Sequence, residues 1–321
     1  MTAATAPAFS ETETLDALYA GLAPLSINAG WAKPTPSLWP EPRQNFVPYR
    51  WSWTDGRAAL EAAGRLVDTE FAERRNLILF NPVEGNTYAT VRTLIAAYQA
   101  ILPGETARSH RHTPNALRFI LEGEGSYTVV DGERLEMRPG DVLLTPNWCW
   151  HGHGSEADGM CFWLDCLDAP LVHLLEPMFF EPHPEDYEPV RGSPAASPFI
   201  FRWEDTLGRL DRAAPDPEGR HSGRIELGAP ALSSIALYMQ RQPGGEETRA
   251  TRTTANQVVC VARGTGRTVI DGEAFSWSRG DVMSIPAWRA FAHRAETDAV
   301  LFAMTDEPVM RQLGWLRTVD A

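Results

Sequence analysis

One stretch of this chain occurs twice. EGEGSYTVVDGERLEMRPGDVLLTPNW, beginning at Glu122, aligns after a one-residue gap with RGTGRTVIDGEAFSWSRGDVMSIPAW, beginning at Arg263. Gly140–Asp141 falls on Gly280–Asp281, Pro146 on Pro286 and Trp148 on Trp288. Within each copy, short runs of Val, Leu, Thr and aromatic residues alternate with Glu-Gly, Asp-Gly or Arg-Gly turns, the texture of an all-β sandwich or barrel. Two β-barrels of one lineage are expected, and 321 residues suffice for two domains of about 100–200 residues each.

The flanking segments read differently. Ser10 with Glu13 three residues later forms a capping box before Leu15, Leu18, Tyr19 and Leu22 at helical spacing, and Pro24 closes that helix. Residues 33–48, KPTPSLWPEPRQNFVP, are too rich in proline for a helix or a central strand and predict an extended arm, pinned by Trp31, Trp39 and Trp51. A second helix is expected from Asp55 to about Arg75, with Leu60, Leu66, Val67 and Phe71 on one side. Its arginine pair Arg74–Arg75 would sit near the C-terminal end, where the helix dipole favours cations. The resulting division is an arm over residues 1–76, a first barrel over 77–180, a Pro/Asp/Glu-rich connector over 181–224 and a second barrel over 225–321.

Composition removes several classes of function. A net charge of −13 repels nucleic acid and anionic membrane surfaces, so neither is an expected partner. Lys33 is the single lysine, in a proline-rich stretch, so Schiff-base chemistry has almost no candidate. No apolar run approaches the roughly 20 residues that span a bilayer, and the N-terminus has neither a basic n-region nor an apolar h-region. A cytoplasmic protein is expected, with Cys149, Cys161, Cys166 and Cys260 reduced and packed as small apolar residues.

The chemistry concentrates in histidine. Four of the eight histidines form two His-x-His pairs, His110/His112 and His151/His153. Alternate residues of a strand point to one side, about 6.6 Å apart, so His110 and His112 can both face a barrel interior. A third histidine from another strand would complete a facial set for a metal.

At these spacings the sequence resembles the cupin superfamily, in which Gly104-(five residues)-His110-Arg111-His112 and Gly140-(five residues)-Pro146-(four residues)-His151 are the two metal-binding motifs. The repeat makes it a bicupin, and the fold implied is two cupin barrels (double-stranded β-helix, jelly-roll), all-β dominated, with an N-terminal helical arm. The implied ligands are His110, His112 and His151. A glutamate usually follows the second histidine by four or five residues; Ala116 and Leu117 stand there instead. A neutral three-histidine site leaves the ion's full charge and several open positions, which suits chelation of an anionic substrate plus O2. In the second barrel Thr251, Thr253 and Phe291 replace the three ligands and only His293 remains, opposite His153; that barrel is expected to be structural or to make oligomer contacts.

A narrower likeness covers about Trp51 to the C-terminus. HRHTPNALRFILEGEGSYTVVDGE and RPGDVLLTPNWCWHGHG, with AERRNLILFNP and YQAILPGE upstream and FWLDCLD downstream, resemble the gentisate 1,2-dioxygenase group, which includes salicylate and 1-hydroxy-2-naphthoate dioxygenases. The resemblance implies one Fe(II) per chain in the first barrel, a small aromatic carboxylate and O2 as reactants, and a homotetramer. It implies a pocket of Arg74, Gln99, Arg118, His153 and Asp165, with Asn76, Ile95 and Ala97 beside it. Arg118, six residues after His112, would share its face in an uninterrupted strand and pair with the substrate carboxylate. His153 would exchange a proton with the substrate phenol, or serve only as a donor behind the metal, and Asp165 would orient it or an arginine.

The reaction so implied is fission of gentisate (2,5-dihydroxybenzoate) between the carboxyl-bearing carbon and its hydroxylated neighbour, giving maleylpyruvate. The same fission of salicylate, a 5-substituted salicylate such as 5-nitrosalicylate, or 1-hydroxy-2-naphthoate is the alternative. Outside that chemistry stand a metal-dependent cupin lyase or isomerase and a non-catalytic ligand-binding bicupin.

Overall fold

The computed structural model describes residues 9, 12–33, 37–68, 71, 74–228 and 231–321. By internal contacts the chain divides into residues 1–43 and 44–321. In the first unit a helix runs Leu15–Leu22, capped by Thr14, whose hydroxyl accepts from the Ala17 amide at 3.2 Å. Ser10, the cap expected from sequence, lies outside the described residues. Pro24 sits in a 3-10 turn, Ala23–Leu25, that ends the helix. The Trp31 and Trp39 rings are exposed, with Arg43 stacked 3.8 Å over Trp39.

In the second unit the two copies of the repeat each build a pair of facing antiparallel sheets. The first barrel has a six-stranded sheet carrying Ala116–Glu122, Cys161–Leu167 and Ile95–Ile101, and a five-stranded sheet carrying Thr106–His112 and His151–Ser155. The second barrel repeats this with Gln257–Arg263, Ala299–Thr305 and Ala236–Gln242 in one sheet, and Thr251–Thr253 and Phe291–Ala295 in the other. Strand periodicity sorts the side chains into three cores. Ile101, Ile120, Leu143 and Trp163 fill the first barrel. Val259, Val261, Met283 and Leu301 fill the second. The intervening residues of the same strands, among them Leu117, Phe119, Leu164, Val258, Phe302 and Met304, form one shared core where the six-stranded sheets pack back to back. Phe119 and Phe302 meet there with ring centroids 5.2 Å apart.

Each barrel also receives a strand and a helix from outside its repeat. Tyr49–Trp51 pairs with Val282–Ile285 of the second barrel, and the helix Trp53–Leu66 follows. Ile200–Phe201 pairs with Val142–Thr145 of the first barrel, and the helix Trp203–Leu210 follows. The repeated Gly-Asp dipeptide explains both attachments. Asp281 accepts from the Trp53 amide at 2.8 Å and pairs with Arg50; Asp141 accepts from the Trp203 amide at 2.8 Å and pairs with Arg202. Gly140 and Gly280 have positive φ, and a Cβ on either would collide with the tryptophan ring lying on it.

The second helix is shorter than the sequence suggests. It ends at Leu66, and Val67 turns extended. Leu66 and Phe71, which prolonged the apparent apolar stripe, are exposed, while the buried residues of the helix are Trp53 and Leu60. Arg75 is therefore no helix-terminal cation. It opens the strand Arg75–Ile78 with a buried side chain held by the Glu105 carboxylate and the Val67 carbonyl. No helix among the described residues is long and apolar enough to cross a membrane.

Because the shared core joins the two barrels, Phe302→Ala is expected to cost about 3–5 kcal/mol of unfolding free energy. Urea denaturation checks this, and a loss below about 1 kcal/mol would show that the sheets do not depend on each other's packing.

Candidate metal centre

His110 and His112 stand on one strand and His151 on its neighbour. Pairing between these strands shifts register between Ala107 and His110, a bulge after which His110 lies directly opposite His151. The loop bringing His151 back is tied to the first motif, since the Trp148 amide donates to the His112 carbonyl at 3.0 Å, with Trp148 in the left-handed region at φ 65°. One ring nitrogen of each histidine lies within 4.8 Å of the other two.

Hydrogen bonding settles which nitrogen. The Nδ1 atoms of His110, His112 and His151 lie 3.3, 2.8 and 3.0 Å from the carbonyl oxygens of Arg108, Pro114 and Cys149. A carbonyl only accepts, so each Nδ1 carries the proton and each Nε2 keeps its lone pair for a cation. Burial also favours neutral rings: it is the first cause holding His110 down to about 3 and lowering His112 and His151. Three neutral imidazoles with free Nε2 atoms fit a divalent metal. Ala116 and Leu117 are buried in the sheet, so no carboxylate joins the set among the described residues.

Behind the triad lies a chain of buried polar groups. Arg118 is 1% exposed. Its guanidinium donates to His153 Nε2 at 2.9 Å and to Thr128 Oγ1 at 3.3 Å, and its Nε lies 3.4 Å from Asp165. Asp165 also accepts from Gln99 at 2.7 Å. Thr128 spends its one proton on the Gly152 carbonyl at 2.9 Å, so it must accept from His153 Nδ1, 3.1 Å away. His153 is thereby fixed as the Nδ1–H tautomer, with Nε2 facing Arg118. Burial and then the Arg118 charge hold its pKa well below the ordinary range. Burial lowers Arg118 to about 10, which leaves it protonated at neutral pH, and raises Asp165 against the opposing pull of Arg118.

Arg118 reaches the site by a route other than the uninterrupted strand expected from His112. The strand is not uninterrupted: Thr106–His112 and Ala116–Glu122 belong to opposite sheets. Arg118 turns inward because it pairs directly with Asp165, which pairs in turn with Ala97. Ala97 and Ile95 share that face, and Asn76 lies across from Gln99 on an edge strand, exposed. Arg74, half-buried, is close enough that its positive charge acts on His110, His153, Arg118 and Asp165. Three neighbours escape a reading by motif. Thr128 fixes His153, the Trp163 ring stands 6.2 Å from it, and Phe180 packs 5.0 Å from His110. Thr128 had a signal in the repeat, where Thr268 occupies the matching place beside His293.

Comparison with known proteins follows the same lines. The cupin domain family matches residues 97–167. The chain is 37% identical to a 5-aminosalicylate 1,2-dioxygenase of a Comamonas species over 94% of this chain and 89% of that protein. It is 32% identical to gentisate 1,2 dioxygenase 1 of Aquipseudomonas alcaligenes over 86% and 88%. The salicylate 1,2-dioxygenase of Pseudoaminobacter salicylatoxidans, solved as an adduct with gentisate, superposes with a TM-score of 0.85 at 30% identity, covering 100% of this chain and 97% of that one.

His112→Ala is expected to lower metal retention by more than the roughly 10–100-fold typical of removing an outer partner, while Thr128→Val keeps the metal. Elemental analysis of both purified variants checks this, and full metal content in the first would remove His112 from the ligand set.

Proposed function

This chain belongs to the cupin family of gentisate and salicylate 1,2-dioxygenases and is a ring-cleaving dioxygenase; from that premise we propose that it is Fe(II)-dependent and opens gentisate between the carboxyl-bearing and the adjacent hydroxyl-bearing carbons. Both atoms of O2 enter the product, so that gentisate plus O2 equals maleylpyruvate with no other reactant. The observation that carries the reading is a set of three neutral imidazoles with free Nε2 atoms beside a buried, charged guanidinium. His110, His112 and His151 would hold the iron, which would supply Lewis acidity toward an anionic substrate and redox chemistry toward O2.

The chain's own residues account for the rest. Arg118, itself 1% exposed, with Arg74 nearby, supplies positive charge for a substrate carboxylate in buried surroundings, where such charge is worth most. His153 and Asp165 hold Arg118 in place. A phenol proton can reach His153 Nε2 once the substrate draws the Arg118 N–H toward itself. Gln99 fixes the far side of Asp165, and Ala97 and Ile95 leave room for a ring on the same face. Asn76, across from Gln99 at the sheet edge, offers an amide to a polar group on the ring.

A second reading, 5-aminosalicylate as substrate, is favoured by the higher identity to the Comamonas enzyme. Both substrates are 2-hydroxybenzoates with a small polar group at position 5, so the two readings share one site. In this proposal the first barrel, residues 77–180, is the catalytic unit and residues 225–321 form a barrel without metal, with 1–76 as arm and 181–224 as connector. The proposal extends to a cytoplasmic homotetramer; the four free thiols suit a reducing compartment, and exposed Leu38, Phe179 and Phe180 offer apolar contact surface.

Iron-loaded protein is expected to take up O2 with gentisate and 5-aminosalicylate, with weaker uptake on salicylate, 5-nitrosalicylate and 1-hydroxy-2-naphthoate. Oxygen-electrode traces beside the ultraviolet band of the ring-opened product check this, and silence with all five despite bound iron would overturn the reaction. Arg118→Ala should lower kcat/KM by about 100-fold or more with iron retained; loss of iron would make the arginine structural.

A further inference from the structure

The second barrel has lost the metal triad and kept a chamber. Thr251, Thr253 and Phe291 stand where the first barrel has His110, His112 and His151. Val259 pairs across the sheet with Ala303, as Arg118 pairs with Asp165. Two other features persist. Gln240 lies opposite Leu301 as Gln99 lies opposite Trp163, and His293 meets Thr268 at 2.8 Å as His153 meets Thr128. Replacing a buried arginine–aspartate pair by valine and alanine deletes most of its side-chain volume, and a cavity of about 250 Å³ is lined by these residues.

Its chemistry is two-sided. Phe291, Val259, Leu301 and Ala303 give it an apolar wall. Facing them is a polar wall that includes Thr251, Thr253 and Thr305; in it Gln240 is 8% exposed and its Nε2 has no hydrogen-bond partner among the described residues. Directly across the strand pair from Gln240 is Arg224, stacked 4.3 Å over Tyr238 and forming no ion pair among the described residues. Two carboxylates also line the cavity, and Glu307 acts on the Tyr238 hydroxyl there. Asp216 accepts from the Arg220 amide at 3.1 Å, and Glu307 pairs with Arg311. Arg220 is held by Glu218 and Asp320, whereas Arg224 has no carboxylate partner among the described residues.

We propose that this cavity is a second, metal-independent binding site for a small aromatic carboxylate, its ring against Phe291, Val259 and Leu301 and its carboxylate on the Arg224–Gln240 pair. The volume is adequate, since an apolar cavity of about 150 Å³ already holds benzene. An amide N–H and a guanidinium, neither with an acceptor side-chain partner among the described residues, offer a carboxylate charge-assisted hydrogen bonds. No clustered metal-ligand set lies here among the described residues, so in this proposal occupancy does not require the first barrel's metal. It also gives the second barrel a role beyond the structural one read from its missing histidines.

Salicylate is the probe, measured by equilibrium dialysis against full-length chain carrying His112→Ala to silence the first site. One molecule per chain is expected to bind saturably, and adding Gln240→Met or, at the surface, Arg224→Ala should each weaken it at least tenfold. Absence of saturable binding in the His112→Ala chain, or binding unmoved by either further substitution, would overturn the proposal. Because catalysis is not read, failure of the ring-cleavage assay and failure of this site are distinguishable.

Discussion

A guanidinium buried inside a β-barrel is the constraint around which the first site is organised. A bare buried cation is costly, and Arg118 is tolerable only because His153, Thr128 and Asp165 surround it. Each of those groups is then fixed in turn: His153 in one tautomer by Thr128, Asp165 on its other oxygen by Gln99. The polar chain so formed holds positive charge next to three imidazoles that must stay neutral. Burial lowers the histidines and works against the arginine as well, but at about 10 Arg118 stays charged, with Asp165 opposing the loss. An anionic aromatic substrate completes this balance.

The duplication shows what the constraint costs and what its removal allows. Where the second barrel gives up the arginine, it gives up the aspartate across from it and all three metal ligands as well. What remains is the His293–Thr268 pair, which meets at 2.8 Å, and Gln240, whose Nε2 has no partner among the described residues. The same scaffold thus carries a charged, metal-binding interior in one copy and a mixed apolar chamber in the other. The two copies are held by a back-to-back core and by helices lent from outside each repeat onto the Gly-Asp turns.

Much of this was legible in the sequence because it is written locally. The repeat announces two barrels, and two His-x-His pairs at fixed distance from glycine and proline turns point to the metal strands. The missing glutamate is visible as Ala116 and Leu117. What escaped is non-local. Nothing near Tyr49–Trp51 says that it adds a strand to a sheet some 230 residues onward, where Tyr49 faces Ser284. The second helix reads too long in the sequence because Leu66 and Phe71 continue an apolar stripe that the fold leaves exposed. Arg118 faces inward by its register against Asp165, a cross-sheet fact that strand periodicity from His112 reaches only by coincidence of count. Thr128 carries no chemistry of its own; the repeat marks it through Thr268, and its role follows once the proton count at His153 is closed.

The central claim is that one triad, in the first barrel, joins both atoms of O2 to the substrate ring. Mass spectrometry of the product formed from gentisate under oxygen-18 gas tests it most directly. The account predicts a ring-opened acid carrying two heavy oxygen atoms, formed by wild-type protein and absent with His112→Ala. A product carrying one heavy atom or none, or one formed equally well by the variant, would contradict it.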